Sequence, residues 1–299
     1  MAPLTDMLQP EELQSIANLQ LMARQTVEGA ITGMHRSPHK GFSVEFAQHR
    51  EYVQGDEIRR VDWKVFAKTD RYFVREYEEE TNLRAMLLVD ASGSMGYAGE
   101  SGQTKLQHAL KLAACLAHII MRQSDSIGLM TFDTGIRAHI PPRSSNRHLR
   151  VLYEEMLHTQ PGGETDLSKV FHDIVPRLQK RGMIFILSDC FTDVKELLKS
   201  LAHFRHASHE VVIFHVMDRD EVEFPFDAWT RFENLELAGE FRMVDPTSFR
   251  AAYLDNFAKF TAALKEGCQR HRIDLVPMYT HESLTDCLAR FLRQRQGVA

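Results

Sequence analysis

From residue 85 onward, short apolar runs alternate with longer amphipathic segments. Each run is nearly continuous in β-branched or bulky apolar residues and is bounded by turn residues. Such runs are typical of strands that are covered on both faces, as in a parallel sheet. The predicted strands are residues 85–90, 126–132, 182–189, 210–217 and 273–279.

The segments between these runs carry apolar residues at helical spacing. Alternating strands and helices predict an α/β fold, a doubly wound, mostly parallel, Rossmann-like sheet. Segment 218–247 interrupts the alternation and is predicted to form short antiparallel strands or a protruding insertion. The predicted helices are residues 104–123, 146–158, 167–180, 193–205, 248–271 and 283–294.

The chain before residue 85 has a different pattern and predicts two further parts. Apolar residues at helical spacing after Pro10 indicate an amphipathic helix within an N-terminal helical segment, residues 1–35. Residues 36–84 are densely charged but contain strand-like stretches around a turn signal, which indicates a β-rich flank. Residues 85–299 then form the main domain.

Composition narrows the class of protein. The 299 residues carry 36 basic and 41 acidic side chains, a net charge of −5 that gives no reason to expect nucleic acid as a partner. The four cysteines form no Cys-x-x-Cys pair, and reduced thiols favour a cytoplasmic location. Neither a secretion signal nor a transmembrane segment is predicted from the apolar runs.

Oxygen-bearing side chains follow the first predicted core strand. Asp90 ends that strand, and Ser92 and Ser94 lie on the turn that follows it. Ligands of open α/β sheets bind beyond the carboxyl ends of the strands, so this is where a site is expected. A carboxylate and two hydroxyls suit a hard cation such as Mg²⁺.

Two later positions extend the same candidate site. Thr165 follows Gly162-Gly163 on a loop before a helix, and Asp189 ends another predicted strand. Asp and Ser residues also cap helices and form turns, which is the structural alternative for Asp90, Ser92 and Ser94. Three elements in order, each at a strand end or a glycine loop, favour the metal site over that alternative.

With these residues the chain resembles the von Willebrand factor A family and its metal-ion-dependent adhesion site. The resemblance implies that Asp90, Ser92, Ser94, Thr165 and Asp189 bind one divalent cation directly or through water. Mg²⁺ is the expected ion, with Mn²⁺ and Ca²⁺ as alternatives. It further implies an open coordination position that takes an acidic side chain from a partner protein.

A second resemblance covers nearly the whole chain. The flank is similar to the bacterial family called domain of unknown function 58, through an Arg-x-Tyr, Gly-Asp, Arg and Asp-Trp series before the first core strand. That resemblance implies an adaptor or scaffold that works with a MoxR-type AAA+ ATPase. The series has a structural interpretation, local packing, and a functional one, a binding surface. Its residues are Arg50, Tyr52, Gly55, Asp56, Arg59, Asp62, Trp63 and Lys64.

Two other functions compete with a metal-dependent interaction module. A Mg²⁺-dependent phosphohydrolase would use Asp90 as its nucleophile, but Ser92 stands where such enzymes commonly carry a second Asp. A metal-free scaffold would bind its partner through residues 50–64.

Three histidines, His203, His206 and His209, are interpreted as a solvated surface run and not as a metal site. A protein that is not an enzyme is the favoured interpretation.

Overall fold

A computed structural model gives the fold of this chain. The residues that it describes are 21, 45–51, 63–78, 83–100, 102–164, 166–178, 180–235 and 239–296. The chain divides into two compact units, one of which spans Arg36–Leu83 while the other contains residues 84–296. The predicted N-terminal helix lies outside the described residues, apart from helical Leu21.

The smaller unit contains an antiparallel strand pair and a short helix. Strand β1 (Glu45–Glu51) pairs with β2 (Phe73–Glu78), and helix α1 (Trp63–Thr69) lies between them in the sequence. The Phe66 ring stacks on Tyr72 with centroids 4.5 Å apart. Trp63 packs edge-on against Phe66 and is still 55% exposed.

The larger unit is built on a six-stranded, mostly parallel sheet, which confirms the predicted fold class. The strand order is β10–β7–β6–β3–β4–β5, and only β5 runs antiparallel to its neighbour. A separate antiparallel hairpin, β8–β9, lies in the segment that interrupts the alternation. The strands are β3 (Arg84–Asp90), β4 (Ser126–Phe132), β5 (Ile136–Arg143), β6 (Met183–Ser188), β7 (Glu210–Met217), β8 (Thr230–Glu233), β9 (Phe241–Val244) and β10 (Asp274–Tyr279).

Helices cover both faces of this sheet. On one face Phe171 packs between Phe132 and Phe204, with ring centroids 5.8 and 5.4 Å apart. On the other face Phe291 packs against Phe185 and Phe214. No helix among those described is both long and apolar enough to cross a lipid bilayer. The helices are α2 (Lys105–Arg122), α3 (Asn146–His158), α4 (Leu167–Ile174), α5 (Val194–His206), α6 (Arg219–Glu223), α7 (Arg250–Arg270) and α8 (Leu284–Gln296).

Two details differ from the predicted elements. Strand β5 was not predicted, because Pro141 and Pro142 interrupt the strand pattern; both are tolerated there since β5 is an edge strand. The helix predicted over residues 167–180 ends at Ile174 and continues only as a 3₁₀ turn, Val175–Arg177. Pro176 lacks the backbone N–H that an α-helix needs, which explains the early end.

Candidate metal centre and its neighbours

Two carboxylates lie at the carboxyl edge of the sheet, at the ends of neighbouring strands. Asp90 is the last residue of β3, and Asp189 directly follows β6. These strands are parallel and paired up to Val89 and Leu187, so both carboxylates reach the same edge. Asp90 is 1% exposed and Asp189 is 7% exposed. The structure therefore brings these two predicted ligands together.

The two serines lie on the turn directly after β3. The Ser92 backbone N–H donates to Asp90 Oδ1 at 3.0 Å, which folds the turn back over the strand end. The Ser92 and Ser94 hydroxyl oxygens are 3.1 Å apart. A 3₁₀ turn, Gly93–Gly96, then leads the chain away from the site. The Ser92 hydroxyl is hydrogen-bonded to Asp90 and the Ser94 hydroxyl to Asp189, so the two serines lie beside the two buried carboxylates.

The glycine loop before α4 is attached to that same turn by two backbone hydrogen bonds. Gly162 N–H donates to the Ala91 carbonyl and Gly93 N–H donates to the Gly163 carbonyl, each at 2.9 Å. Gly163 has a φ of +79°, a conformation that favours glycine. Arg137 secures the loop by donating to the Gly162 carbonyl at 2.6 Å. Thr165 itself lies outside the described residues.

A buried lysine that the sequence did not single out joins this group. Lys105, the first residue of α2, is 1% exposed. Its Nζ lies 2.8 Å from Asp189 Oδ2 and 2.6 Å from Glu221 Oε1. Glu221 belongs to α6, so Lys105 connects the strand-end carboxylate to the segment that follows β7. One of the two site carboxylates thus has an internal counterion.

The two carboxylates have opposite electrostatic environments. Burial, together with the negative charge of Asp189, raises the pKa of Asp90 from 3.8 to about 7, although hydrogen bonds from Ser188 and Ser92 act in the other direction. Burial also acts to raise the pKa of Asp189, but Lys105 and the hydrogen bonds at its carboxylate lower it overall. Ser188 Oγ donates to Asp90 Oδ2 at 2.6 Å. Of the two carboxylates, Asp90 is therefore the one whose negative charge is less compensated by its neighbours.

The donor set fits a hard divalent cation. Asp90 forms no salt bridge with any described side chain, and hydroxyl oxygens lie beside it. Within the described residues, no group of three or more His, Cys, Asp or Glu side chains could hold a metal ion. A cation here would therefore depend on Asp90, Asp189 and the serine hydroxyls. Oxygen-only donors of this kind suit Mg²⁺, which commonly keeps several waters.

A family model described as "Protein of unknown function DUF58" matches residues 48–263 of this chain. That region spans most of the described residues and contains every predicted metal ligand. This chain belongs to the DUF58 family. The resemblance drawn from the Arg-x-Tyr to Asp-Trp series is confirmed by this match.

Relatives of this DUF58 member occur among curated proteins. An uncharacterized protein of Mycobacterium tuberculosis (strain ATCC 25618 / H37Rv) is 26% identical over 275 residues, which cover 90% of this chain and 82% of the relative. An uncharacterized protein of Mycobacterium bovis matches with the same identity and coverage.

Solved structures with similarity to this DUF58 member include two from Bacteroides species. An aerotolerance-related membrane protein of Bacteroides fragilis, with multiple mutations to serine, has a TM-score of 0.46 and 14% identity, and covers 73% of this chain and 100% of its own. BatB of Bacteroides thetaiotaomicron has a TM-score of 0.42 and 12% identity over 72% of this chain and 99% of its own. The SpRpn10 VWA domain has a TM-score of 0.40 and 14% identity over 70% and 94%.

The DUF58 series before the sheet is only partly within the described residues. Arg50 lies in β1, and Trp63 and Lys64 begin α1. These three belong to the smaller unit. The other members of the series lie outside the described residues: Tyr52, Gly55, Asp56, Arg59 and Asp62.

Sequence reasoning missed two side chains that touch the DUF58 site carboxylates, Lys105 and Ser188, and it missed Glu221, which pairs with Lys105. Ser188 directly precedes Asp189, so its position at a strand end was a usable signal. Lys105 follows Thr104, whose side chain caps α2 in a capping box with Gln107. The cap marks a helix start but does not show that the next side chain is buried in the site.

Proposed function

We propose that this chain is a metal-dependent protein-interaction module that acts by binding and not by catalysis. The observation that carries the proposal is the convergence of the Asp90 and Asp189 carboxylates with the Ser92 and Ser94 hydroxyls at one sheet edge. Mg²⁺ would be held by Asp90, Ser92 and Ser94, with Thr165 and Asp189 completing the set directly or through water. When bound, the ion supplies an electrophilic position for a carboxylate of the partner.

Lys105 supports an acidic partner. Since its ammonium group already neutralises Asp189, a divalent ion would keep more of its positive charge than it would between two free carboxylates. An ion with residual positive charge favours an anionic sixth ligand over a neutral one. The partner would therefore present an Asp or Glu side chain.

Exposed apolar side chains near the site support a protein as the partner. Phe191 lies two residues after Asp189 and is 77% exposed. Its backbone N–H donates to Asp189 Oδ1 at 3.1 Å, so the ring lies at the rim of the site. Large exposed aromatic side chains are typical anchors of protein interfaces. By family resemblance we propose a MoxR-type AAA+ ATPase as the partner and the cytoplasm as the location.

Catalysis by an Asp90 nucleophile is the competing proposal, and no contact of Asp90 favours it. Ser92, two residues later, has no carboxylate to serve as the acid and base of phosphoryl transfer. Trapping of an aspartyl-phosphate on Asp90 would support the phosphohydrolase. A phosphatase screen without turnover would leave the binding function as the better account.

The proposal is tested by calorimetry and by partner capture with the same variants. We expect Mn²⁺ to bind the purified protein, and Asp90→Ala to abolish this binding while cooperative unfolding is retained. Asp173→Ala, at an exposed carboxylate on α4, is the matched control and should bind Mn²⁺ normally.

Capture of a candidate AAA+ ATPase on immobilised protein should require a divalent ion and fail with a chelator or with Asp90→Ala. Unchanged capture under both conditions would contradict the metal-dependent function. It would favour the metal-free scaffold, in which Arg59→Glu in the flank weakens capture.

A further inference from the structure

A cavity of about 320 Å³ lies at the amino edge of the sheet, opposite the candidate metal centre. It is lined where β3 and β6 begin and where β5 ends, and we call it the amino-edge cavity. Pockets for small ligands typically measure ~300–1,000 Å³. The amino-edge cavity is therefore large enough for a compact organic molecule and too small for a folded segment of a protein.

The lining of this cavity is strongly basic. The chain as a whole has a net charge of −5, yet no Asp or Glu is among the described residues that line the cavity. None of its four cationic side chains forms a salt bridge within the described part of the chain. Like charges held together without a counterion repel each other, so an anion in the cavity would be stabilised. The basic lining residues are Arg84, Arg143, Arg177, Lys180, His139 and His209.

A buried polar atom without a partner is a second, independent observation. His209 lines the cavity and is 1% exposed, so its predicted place in a solvated surface run is wrong. Its imidazole is hydrogen-bonded to the backbone of Gly182, but its buried Nδ1 has no hydrogen-bond partner in the described structure. Buried polar atoms are nearly always hydrogen-bonded, and one without a partner at a cavity points to a missing ligand or water.

The rest of the lining is apolar and restricts the kind of anion. Met86 and Ile184, two members of the hydrophobic core, lie at the cavity together with Leu178. An inorganic anion would leave this apolar surface without a contact. A phosphate group attached to an organic body would satisfy both parts of the lining. Arginine side chains, with five N–H donors in a fixed fork, are especially suited to phosphate oxygens.

We propose that the amino-edge cavity binds a small phosphorylated organic molecule of mononucleotide size. The phosphate contacts Arg84, Arg143, Arg177 and Lys180, and the organic body lies on the apolar part of the lining. This function goes beyond partner binding at the carboxyl edge, and uses none of the residues proposed for the metal.

The test is calorimetric titration of the full chain with ADP, pyrophosphate and adenosine, in EDTA so that no divalent ion can recruit phosphate. We expect ADP and pyrophosphate to bind, ADP more tightly, and adenosine not to bind. The double variant Arg177→Gln/Lys180→Gln should weaken ADP binding about tenfold or more, because two cationic hydrogen-bond donors to the phosphate are lost. Both side chains are exposed, so the fold should persist.

The matched control is Lys265→Gln/Arg293→Gln, which removes the same charge from exposed positions on α7 and α8. It should bind ADP within about twofold of the wild type, because neither residue lines the cavity and exposed charges are screened by salt. If the cavity variant fails to fold, Arg143→Gln provides the same comparison. Absence of ADP and pyrophosphate binding to the wild type, equal losses in both variants, or equal binding of adenosine would each overturn the proposal.

Discussion

Asp90 and Asp189 are chemically identical side chains that are placed in different surroundings. Asp90 receives only hydrogen bonds from uncharged groups, whereas Asp189 receives the ammonium group of Lys105. Their contributions to stability should therefore differ in sign. An ionised Asp90 costs free energy in the absence of a metal, and an ionised Asp189 is needed to balance Lys105.

We predict that Asp90→Asn stabilises the metal-free protein at alkaline pH. The folded-state pKa of Asp90 is raised to about 7 by burial and by Asp189, above the value of 3.8 for a free carboxyl. The unfolded chain therefore binds fewer protons, and stability is lost as the pH rises from about 4 to about 7. Asp90→Asn has no carboxylate to ionise at this position, so it does not lose stability in this way. Its free energy of unfolding should exceed that of the wild type by roughly 2–4 kcal/mol at pH 8 in EDTA.

Urea denaturation between pH 5.5 and 8.5 measures this difference, which should grow with pH. Asp189→Asn is the contrasting variant and should lose stability across the same range, because Lys105 then lacks its nearest carboxylate. Added Mg²⁺ should stabilise the wild type but not Asp90→Asn. A difference between wild type and Asp90→Asn that is independent of pH would contradict the electrostatic account.

We predict that Lys105→Met destabilises the protein by about 3–5 kcal/mol, because it leaves the buried Asp189 carboxylate and the partly buried Glu221 without their counterion. Adding Glu221→Gln to this variant should recover part of the loss, which a double-mutant cycle in urea detects. Lys265→Met, at an exposed position on α7, is the control and should change stability little. Strict additivity of the Lys105 and Glu221 substitutions would show that the ion pair is not energetically coupled.

Three of the helices end in the same way. After α2, α5 and α7 the chain places Ser124, Ser208 and Arg272 in the left-handed region, with φ of 61°, 64° and 54°. In each case the following N–H returns to a carbonyl five residues earlier, as in a Schellman motif. Glycine is the preferred residue at this position, because other residues pay a conformational cost there.

We predict that Ser124→Gly and Ser208→Gly each stabilise the protein by up to about 1 kcal/mol, because glycine adopts positive φ without steric cost. Thermal and urea denaturation measure the gain. Ser200→Gly, inside α5, is the matched control and should instead destabilise by about 0.5–1 kcal/mol. Losses at all three positions would show that the flexibility of glycine in the unfolded chain outweighs the relief of strain.

The elements differed in how far the sequence predicted them. The parallel strands β3, β4, β6 and β7 are buried on both faces, so each appears as an apolar run bounded by turns. Edge strand β5 alternates half-buried and exposed residues and carries two prolines. Because of this mixed pattern, the sequence did not predict it as a strand. The two carboxylates were predictable because strand ends are readable in a sequence. The role of Lys105 was not predictable, because its partner Glu221 lies on α6, more than a hundred residues further along the chain.

At the scale of the whole molecule, the chain divides into a unit with a six-stranded sheet and a smaller flank. Within the larger unit, β3 is hydrogen-bonded to β4 and β6 on its two sides, so no other strand completes the sheet there. Its core lies between the two helical layers. Among its described elements the smaller unit has two paired strands and one short helix, and these elements by themselves are too small to bury a sizeable core.

We predict that residues 84–299 fold alone and that residues 36–83 do not. The fragment 84–299 should unfold cooperatively in urea and bind Mn²⁺ with an affinity close to that of the full chain, since Asp90, Ser92, Ser94 and Asp189 are all within it. The fragment 36–83 should lack a cooperative transition by circular dichroism, because an isolated strand pair is at best marginally stable in water. Failure of residues 84–299 to fold would mean that the flank supplies part of the main core. If the fragment folds but does not bind Mn²⁺, the flank is required for metal binding. Mn²⁺ binding to the full chain that is lost in Asp90→Ala would distinguish this requirement from a site that never binds metal.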